Sequence, residues 1–433
     1  MPDPSIRLST AALALSLALA AGAAPAADWP QWRGPMRDAK SSETGLLGEW
    51  PAGGPPLAYQ AKGLGAGFSS LAVVGDRIYT MGDLSDGQYV LCLSRTDGSR
   101  IWGLRIGSTW EDQYGGPRAT PTVDGDQVFA MNTQGSVVAL SAAEGELQWS
   151  RSLVREFGGE LMKAGGSWDW RWAESPLVDG GRVIVSPGAA DAAVVALDRA
   201  TGEELWRAAL PAEMGEEGLP GAGYSSAVVS EAGGVRQYVQ LLGKGVIGIE
   251  AATGKVLWSY NRVANEVANI PTPLVAGDHI FTSTGYGTGA ALLTVKRNGE
   301  GMEAEEVYFL AGDEMQNHHG GMILHDGYVY AGTGHNRGFP LAVNLESGEI
   351  AWGPERNEGQ GSGALVFADG RLYFRYQNGV MVLAEATPEG YHQRGSFKIP
   401  KVKNPSWSHP VVSGGRLYLR EQDDLYVYDL TTG

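Results

Sequence analysis

Cysteine is almost missing from this chain: Cys92 is the only one among 433 residues, so no intrachain disulfide can form. It lies in the apolar run Val90–Leu93, where a small buried side chain is expected rather than a reactive thiol. Positive charge is also short, with 33 Lys and Arg against 49 Asp and Glu and a formal net charge of -16. An acidic surface without basic clusters repels phosphate backbones and argues against nucleic acid as a partner. Beyond the N-terminus no apolar run reaches the ~18 residues that a spanning helix needs, so no transmembrane segment is expected. Several signatures of catalysis are missing as well. There is no Gly-x-Ser-x-Gly, no Walker loop, no His-Glu-x-x-His and no Cys-x-x-Cys-His.

The first 27 residues read as an export signal: Arg7, then the apolar run Ala11–Ala21, then the small-residue site Ala24-Pro25-Ala26. A periplasmic or secreted protein is therefore expected. No cysteine stands at the expected start of the mature chain near Ala27, so a lipid anchor is not expected. Residues 28–56, with Trp29-Pro30-Gln31-Trp32-Arg33-Gly34-Pro35, form an irregular lead-in expected to pack its tryptophans on the body. Residues 57–433 are expected to form one domain.

What is abundant is glycine, 63 residues, and it is periodic. The stretch from Glu174 to Trp206 shows the unit: alternating apolar runs Pro176–Val178, Arg182–Val185 and Val194–Leu197 predict strands A, B and C, and a fourth strand D carries Trp206. Turn dipeptides between A and B recur at Gly75-Asp76, Gly125-Asp126, Gly180-Gly181, Gly233-Gly234, Gly277-Asp278, Asp326-Gly327, Asp369-Gly370 and Gly414-Gly415. Their spacing of about 48 residues is that of a repeat architecture. Gly98, Gly145, Gly202, Gly254 and Gly348 each precede a tryptophan by four residues, giving Trp102, Trp149, Trp206, Trp258 and Trp352. These rings are expected to fill the space between neighbouring sheets. Phe309 and Phe397 stand in the corresponding region of repeats five and seven.

Four strands per repeat without helical periodicity predict an all-β, eight-bladed β-propeller of four-stranded antiparallel blades. Seven blades is the alternative, because repeat four is the least regular. Repeat eight stops where strand D should begin, and the unpaired strand Leu57–Gln60 can complete it, closing the ring.

The segments Val-Val-Ala-Leu-Asp198-x-x-Thr201-Gly202-x-x-x-Trp206 and Val246–Trp258 resemble the PQQ-like β-propeller repeat, over nearly all of residues 57–433. That family includes the pyrroloquinoline-quinone alcohol and glucose dehydrogenases and the propeller subunit of the outer-membrane β-barrel assembly machinery. Residues Trp29–Pro35 also resemble the start of a group of exported bacterial propellers. The resemblance implies PQQ and calcium as cofactors and an oxidoreductase acting on alcohols or sugars. The adjacent-cysteine disulfide of those dehydrogenases is impossible here, and no motif places their calcium ligands or catalytic Asp.

In a four-stranded meander the D-to-A and B-to-C connections share one face. That face holds the long loops, including Trp168-Asp169-Trp170-Arg171-Trp172-Ala173-Glu174 and Trp110–Tyr114. Loops of such length usually carry function. The candidate ligand-binding residues over the central funnel are Arg118, Trp168, Arg171, Trp172, Glu174, Lys244, Tyr286, His319, His335, Arg337, Arg375, Trp407 and His409. Arginine and lysine suit an anionic group, and flat aromatic rings suit a planar cofactor or a sugar. The alternative is that these groups satisfy one another and the loop backbones. His318 and His319 are placed on strand A, where alternation allows at most one to face the funnel; no ligand spacing supports a metal among the histidines. The leading expectation is a monomeric binding or scaffold module that takes a small ligand, a glycan or a periplasmic protein on this face. The quinoprotein oxidoreductase is the second reading, and Glu174 with its tryptophan-rich loop is the first place to look.

Overall fold

The computed structural model describes residues 28–299 and 301–431; the expected export signal at 1–27 lies outside them. The chain forms eight four-stranded antiparallel sheets arranged as the blades of a propeller, so the eight-blade expectation holds and the seven-blade alternative does not. Blade one, for example, consists of Ala72–Val74, Arg77–Leu84, Gly87–Ser94 and Arg100–Gly107. Blade eight takes Val411–Ser413, Arg416–Glu421 and Asp424–Asp429 from one end of the chain and Leu57–Lys62 from the other. Gln60 pairs with Tyr426 and Lys62 with Asp424 across that seam. No helix among the described residues is long and apolar enough to cross a membrane.

The A-to-B hairpins are two-residue turns, and their chemistry follows from the backbone they need. Asp326-Gly327 and Asp369-Gly370 both hold positive φ at both positions. Blade four departs from this pattern: its turn is a short 3-10 stretch, Ala232–Gly234, which explains its irregular sequence.

The strand-D aromatics join one blade to the next. Trp149 Nε1 donates to the Arg199 carbonyl of blade three at 2.9 Å, and Trp206 Nε1 to the Ala251 carbonyl of blade four at 3.1 Å. Trp102 and Trp352 do the same with Ala142 and Thr387. Three of the motif glycines therefore serve the preceding blade's tryptophan, since a Cβ on Gly145, Gly202 or Gly254 would lie 2.5, 2.7 or 2.6 Å from Trp102, Trp149 or Trp206; Gly98 meets Ala61 and Tyr59, and Gly348 meets Tyr308. In blade five this place belongs to Tyr308, whose hydroxyl donates to Leu345 O at 2.7 Å, and not to Phe309. Tyr308 pairs with Leu292 just before the bulge, the register position that Trp206 holds opposite Ala196 and Trp149 opposite Ala139. Phe397 has no donor and packs on Tyr428 at 4.8 Å.

Residues 29–41 do more than pack on the body, because they run through the axial channel. Trp29 bridges to Val73, and the Val123 amide donates to Pro30. Arg37 donates to Ser175 O and Ala227 O, both at 2.8 Å, and Arg33 to Met322 O. Lys40 bridges to Phe367. Strand A of each blade has no inner neighbour, so its carbonyls face the axis; the lead-in and its guanidiniums satisfy them.

Gly202→Ala is expected to cost about 2–4 kcal/mol, from the left-handed backbone plus the clash with Trp149. Gly180→Ala has open space around its Cβ position and should cost only about 1–2 kcal/mol. Urea denaturation of the two variants checks the ranking; equal midpoints would show that the turn conformation, not the aromatic contact, sets the cost.

Candidate functional site

A cavity of about 280 Å³ lies on the axis beneath the D-to-A and B-to-C loops. Its floor is the lead-in: Trp32, fixed by a 3.0 Å bond from Nε1 to Thr272 Oγ1, and Arg33. Its walls are Phe68, Tyr114, Arg118, Trp170, Tyr224, Tyr286, His318, His319, Trp407 and His409.

The loops that make these walls are held by contacts within each loop and between neighbouring ones. Trp407 donates from Nε1 to Gln377 Oε1 at 3.0 Å and touches Phe68, Tyr114 and His319 with its ring. Arg118 donates to the carbonyls of Tyr114 at 2.7 Å and Gly116 at 3.3 Å, and its guanidinium lies 4.5 Å from the Trp110 ring. Trp170 meets Tyr224 edge to face at 5.6 Å.

Of the thirteen candidates, Arg118, Tyr286, His319, Trp407 and His409 line the cavity together. The other eight lie elsewhere. Trp168 stays 41% exposed on the rim, edge-on to Trp170, and Arg171 is exposed beside Asp169. Trp172 is buried between blades two and three. Glu174 is buried away from the cavity, accepting from the Ser186 amide at 2.7 Å and hydroxyl at 3.1 Å. Lys244 caps the Gly215 and Glu216 carbonyls. His335 and Arg337 border a separate rim groove. Arg375 is wholly buried, bonded to the carbonyl of Ser408 at 2.6 Å and to Glu421 at 3.0 Å.

His318 and His319 both line the cavity, contrary to the alternation argument. They sit in a bend before strand Met322–His325, where strand alternation does not apply. His318 bonds Ser362 Oγ at 2.8 Å and the Tyr286 hydroxyl at 3.1 Å. His335 lies 4.3 Å from His318 ring to ring. Burial holds His318 down at about 2 and His319 at about 3, and the neighbouring imidazoles, with the Arg118 charge at His319, oppose protonation further. His409 is held at about 3 by burial and by the nearby Arg33 charge. These imidazoles are neutral at physiological pH. Arg33 and Arg118 are lowered by burial to about 10 and stay charged. Among the described residues the lining contains no carboxylate.

This donor set does not fit calcium, which takes carboxylate and carbonyl oxygens, and among the described residues no three His, Cys, Asp or Glu side chains are placed to share a metal ion. Cys92 is buried in blade one, away from the axis. Trp32, Arg33 and Trp170 were not among the thirteen candidates. The floor residues had no signal in the repeat, because the lead-in lies outside it.

A family model described as outer membrane protein assembly factor BamB matches residues 86–354. A protein of that description from Alteromonas naphthalenivorans is 28% identical over 121 residues, 26% of this chain and 27% of its own length. The match thus spans about a quarter of that relative. Among solved structures, BamB from Moraxella catarrhalis shares 15% identity at a TM-score of 0.58, covering 87% of this chain and 98% of its own. The quinohemoprotein alcohol dehydrogenase of Comamonas testosteroni shares 14% at 0.66, covering 95% and 82%. At such identities the structural likeness carries the fold alone.

Glu174 is raised from its ordinary 4.5 to about 8 by burial, against the opposing bonds from Ser186 and the charge of Arg37. The folded protein therefore keeps a proton that the unfolded chain releases above pH 4.5. This stabilising contribution is complete below that pH and is lost as pH rises through 8. Relative to Glu174→Gln, the wild type is expected to lose a few kcal/mol, on the order of 2–4, between pH 4.5 and 8.5. Parallel denaturation curves for the two proteins across that range would count against a protonated Glu174.

Proposed function

This chain belongs to the family described as outer membrane protein assembly factor BamB, and from that premise we propose that it is an exported binding propeller. It engages a small ligand or a protein partner through its loop-rich face. The observation that supports this reading is the aromatic cavity on that face, floored by Trp32 and Arg33 and edged by the exposed ring of Trp168. Exposed tryptophans beside a concave site are a common form of binding hot spot. The opposite face offers mainly tight turns such as Thr201-Gly202, whose side chains are spent on their own backbone: Asp198 Oδ1 accepts from the Ala200 and Thr201 amides, both at 2.9 Å.

A photo-crosslinking residue at position 168, in the exporting host, is expected to capture a partner, while one at position 201 is not. Equal capture from both positions, or none from 168 in a protein whose cavity also binds no small molecule, would defeat the reading.

A further inference from the structure

The cavity has a polar corner that its own residues leave incomplete. His409 Nε2 faces the His319 carbonyl at 3.0 Å. A carbonyl only accepts, so Nε2 carries the proton and, in the neutral ring, Nδ1 is a bare acceptor. Nδ1 is buried and has no partner. Arg33 uses Nε and Nη2 on the carbonyls of Arg37, Asp38 and Met322, while its Nη1 is buried without one. Arg33 and His409 are 3% and 9% exposed.

The two groups converge beside Gly321, another lining residue. A Cβ there would lie 2.2 Å from Arg33 Nη1 and 3.4 Å from His409 Cε1. Arg33 Nη1 thus packs against the Gly321 backbone, in space that any side chain there would claim. Around this corner stand the rings of Trp32, 4.5 Å from His409, and of Trp407. An unpaired guanidinium N–H in a cavity without a carboxylate favours a negatively charged acceptor. The bare imidazole nitrogen next to it favours a hydroxyl donor.

We propose that this corner binds an aromatic 2-hydroxy acid, its carboxylate on Arg33, its hydroxyl donating to His409 Nδ1 and its ring among Trp32 and Trp407. The inference rests on the reading of the loop face as a binding face and gives that face a ligand chemistry. A carboxylate with an adjacent hydroxyl supplies one acceptor for the guanidinium and one donor for the imidazole. A buried polar group left unpaired by the wrong ligand penalises that ligand, so selectivity is expected to be strong.

Calorimetric titration of the whole protein with three matched probes tests this. Mandelate carries ring, hydroxyl and carboxylate; phenylacetate lacks the hydroxyl; 1-phenylethane-1,2-diol lacks the charge. Mandelate is expected to bind at least roughly tenfold more tightly than either of the others. His409→Phe is expected to abolish the preference over phenylacetate, and Arg33→Gln the preference over the diol. Because both residues are buried and either variant can misfold, the comparison of probes on the wild-type protein decides by itself. Equal affinity for all three, or no mandelate binding at millimolar concentration, overturns the proposal. If that happens while position 168 still captures a partner, the ligand chemistry is wrong and the binding face stands. If none of the probes binds and capture fails too, both fall.

Discussion

Most blades reach into the next through one aromatic side chain. At six of the eight junctions the indole or phenol lies under the following blade's C-to-D turn and donates to a carbonyl there, as Trp149 does to Arg199 and Tyr308 to Leu345; Trp258 instead donates to Gln237 Oε1 within its own blade, and Phe397 has no donor. The turn has to come within van der Waals range of a flat ring, and only a residue without Cβ permits this at Gly145, Gly202 and Gly254. Area burial holds the sheets together, while the N–H or O–H donor fixes their angle. Tyr59, contributed by the lead strand of blade eight, does the same for blade one by donating to Arg95 O at 2.9 Å. The seam between the chain ends is thus built like the other junctions.

A ring of eight blades leaves an axial channel wider than side chains alone can fill, bordered by strand edges whose carbonyls lack partners. The chain answers this with its own backbone and with arginine. Arg33 and Arg37 descend on the lead-in, and Arg375 and Arg420 extend from the blades themselves; all four are buried and bonded mostly to carbonyls. A guanidinium suits this task because its five donors form a planar fork. The same solution shapes the cavity. Once the lead-in has closed the axis, what remains above it is aromatic, positively charged and free of lining carboxylates, inside a protein that is acidic overall.

Strand count, blade count, ring closure and the sidedness of the loops could all be read along the chain, because each rests on local chemistry. Turn dipeptides demand positive φ, alternation demands a sheet, and Gly-x-x-x-Trp marks one corner of every regular repeat. Where a local rule was applied beyond its range it failed: Tyr308, not Phe309, holds the register position of the tryptophans in a blade whose C-to-D hairpin is longer, and His318 joined His319 in the cavity because a bend replaced the strand. The candidate site was legible as a face but only partly as a set of residues. Polarity and position selected Arg118 and His409, which line the cavity, and by the same criteria Glu174 and Arg375, which are buried among blade backbones.

The sequence by itself determined the propeller, its closure and the face that carries the elaborated loops, since these follow from periodic residues within one or two repeats. Only the tertiary structure decided what lies at the centre. The lead-in has no repeat signal, and its path down the axis depends on carbonyls that eight separate strands present to one another across the ring. The cavity floor, the unpaired edge of Arg33 and its close packing on Gly321 are products of that convergence, and no stretch of sequence contains it.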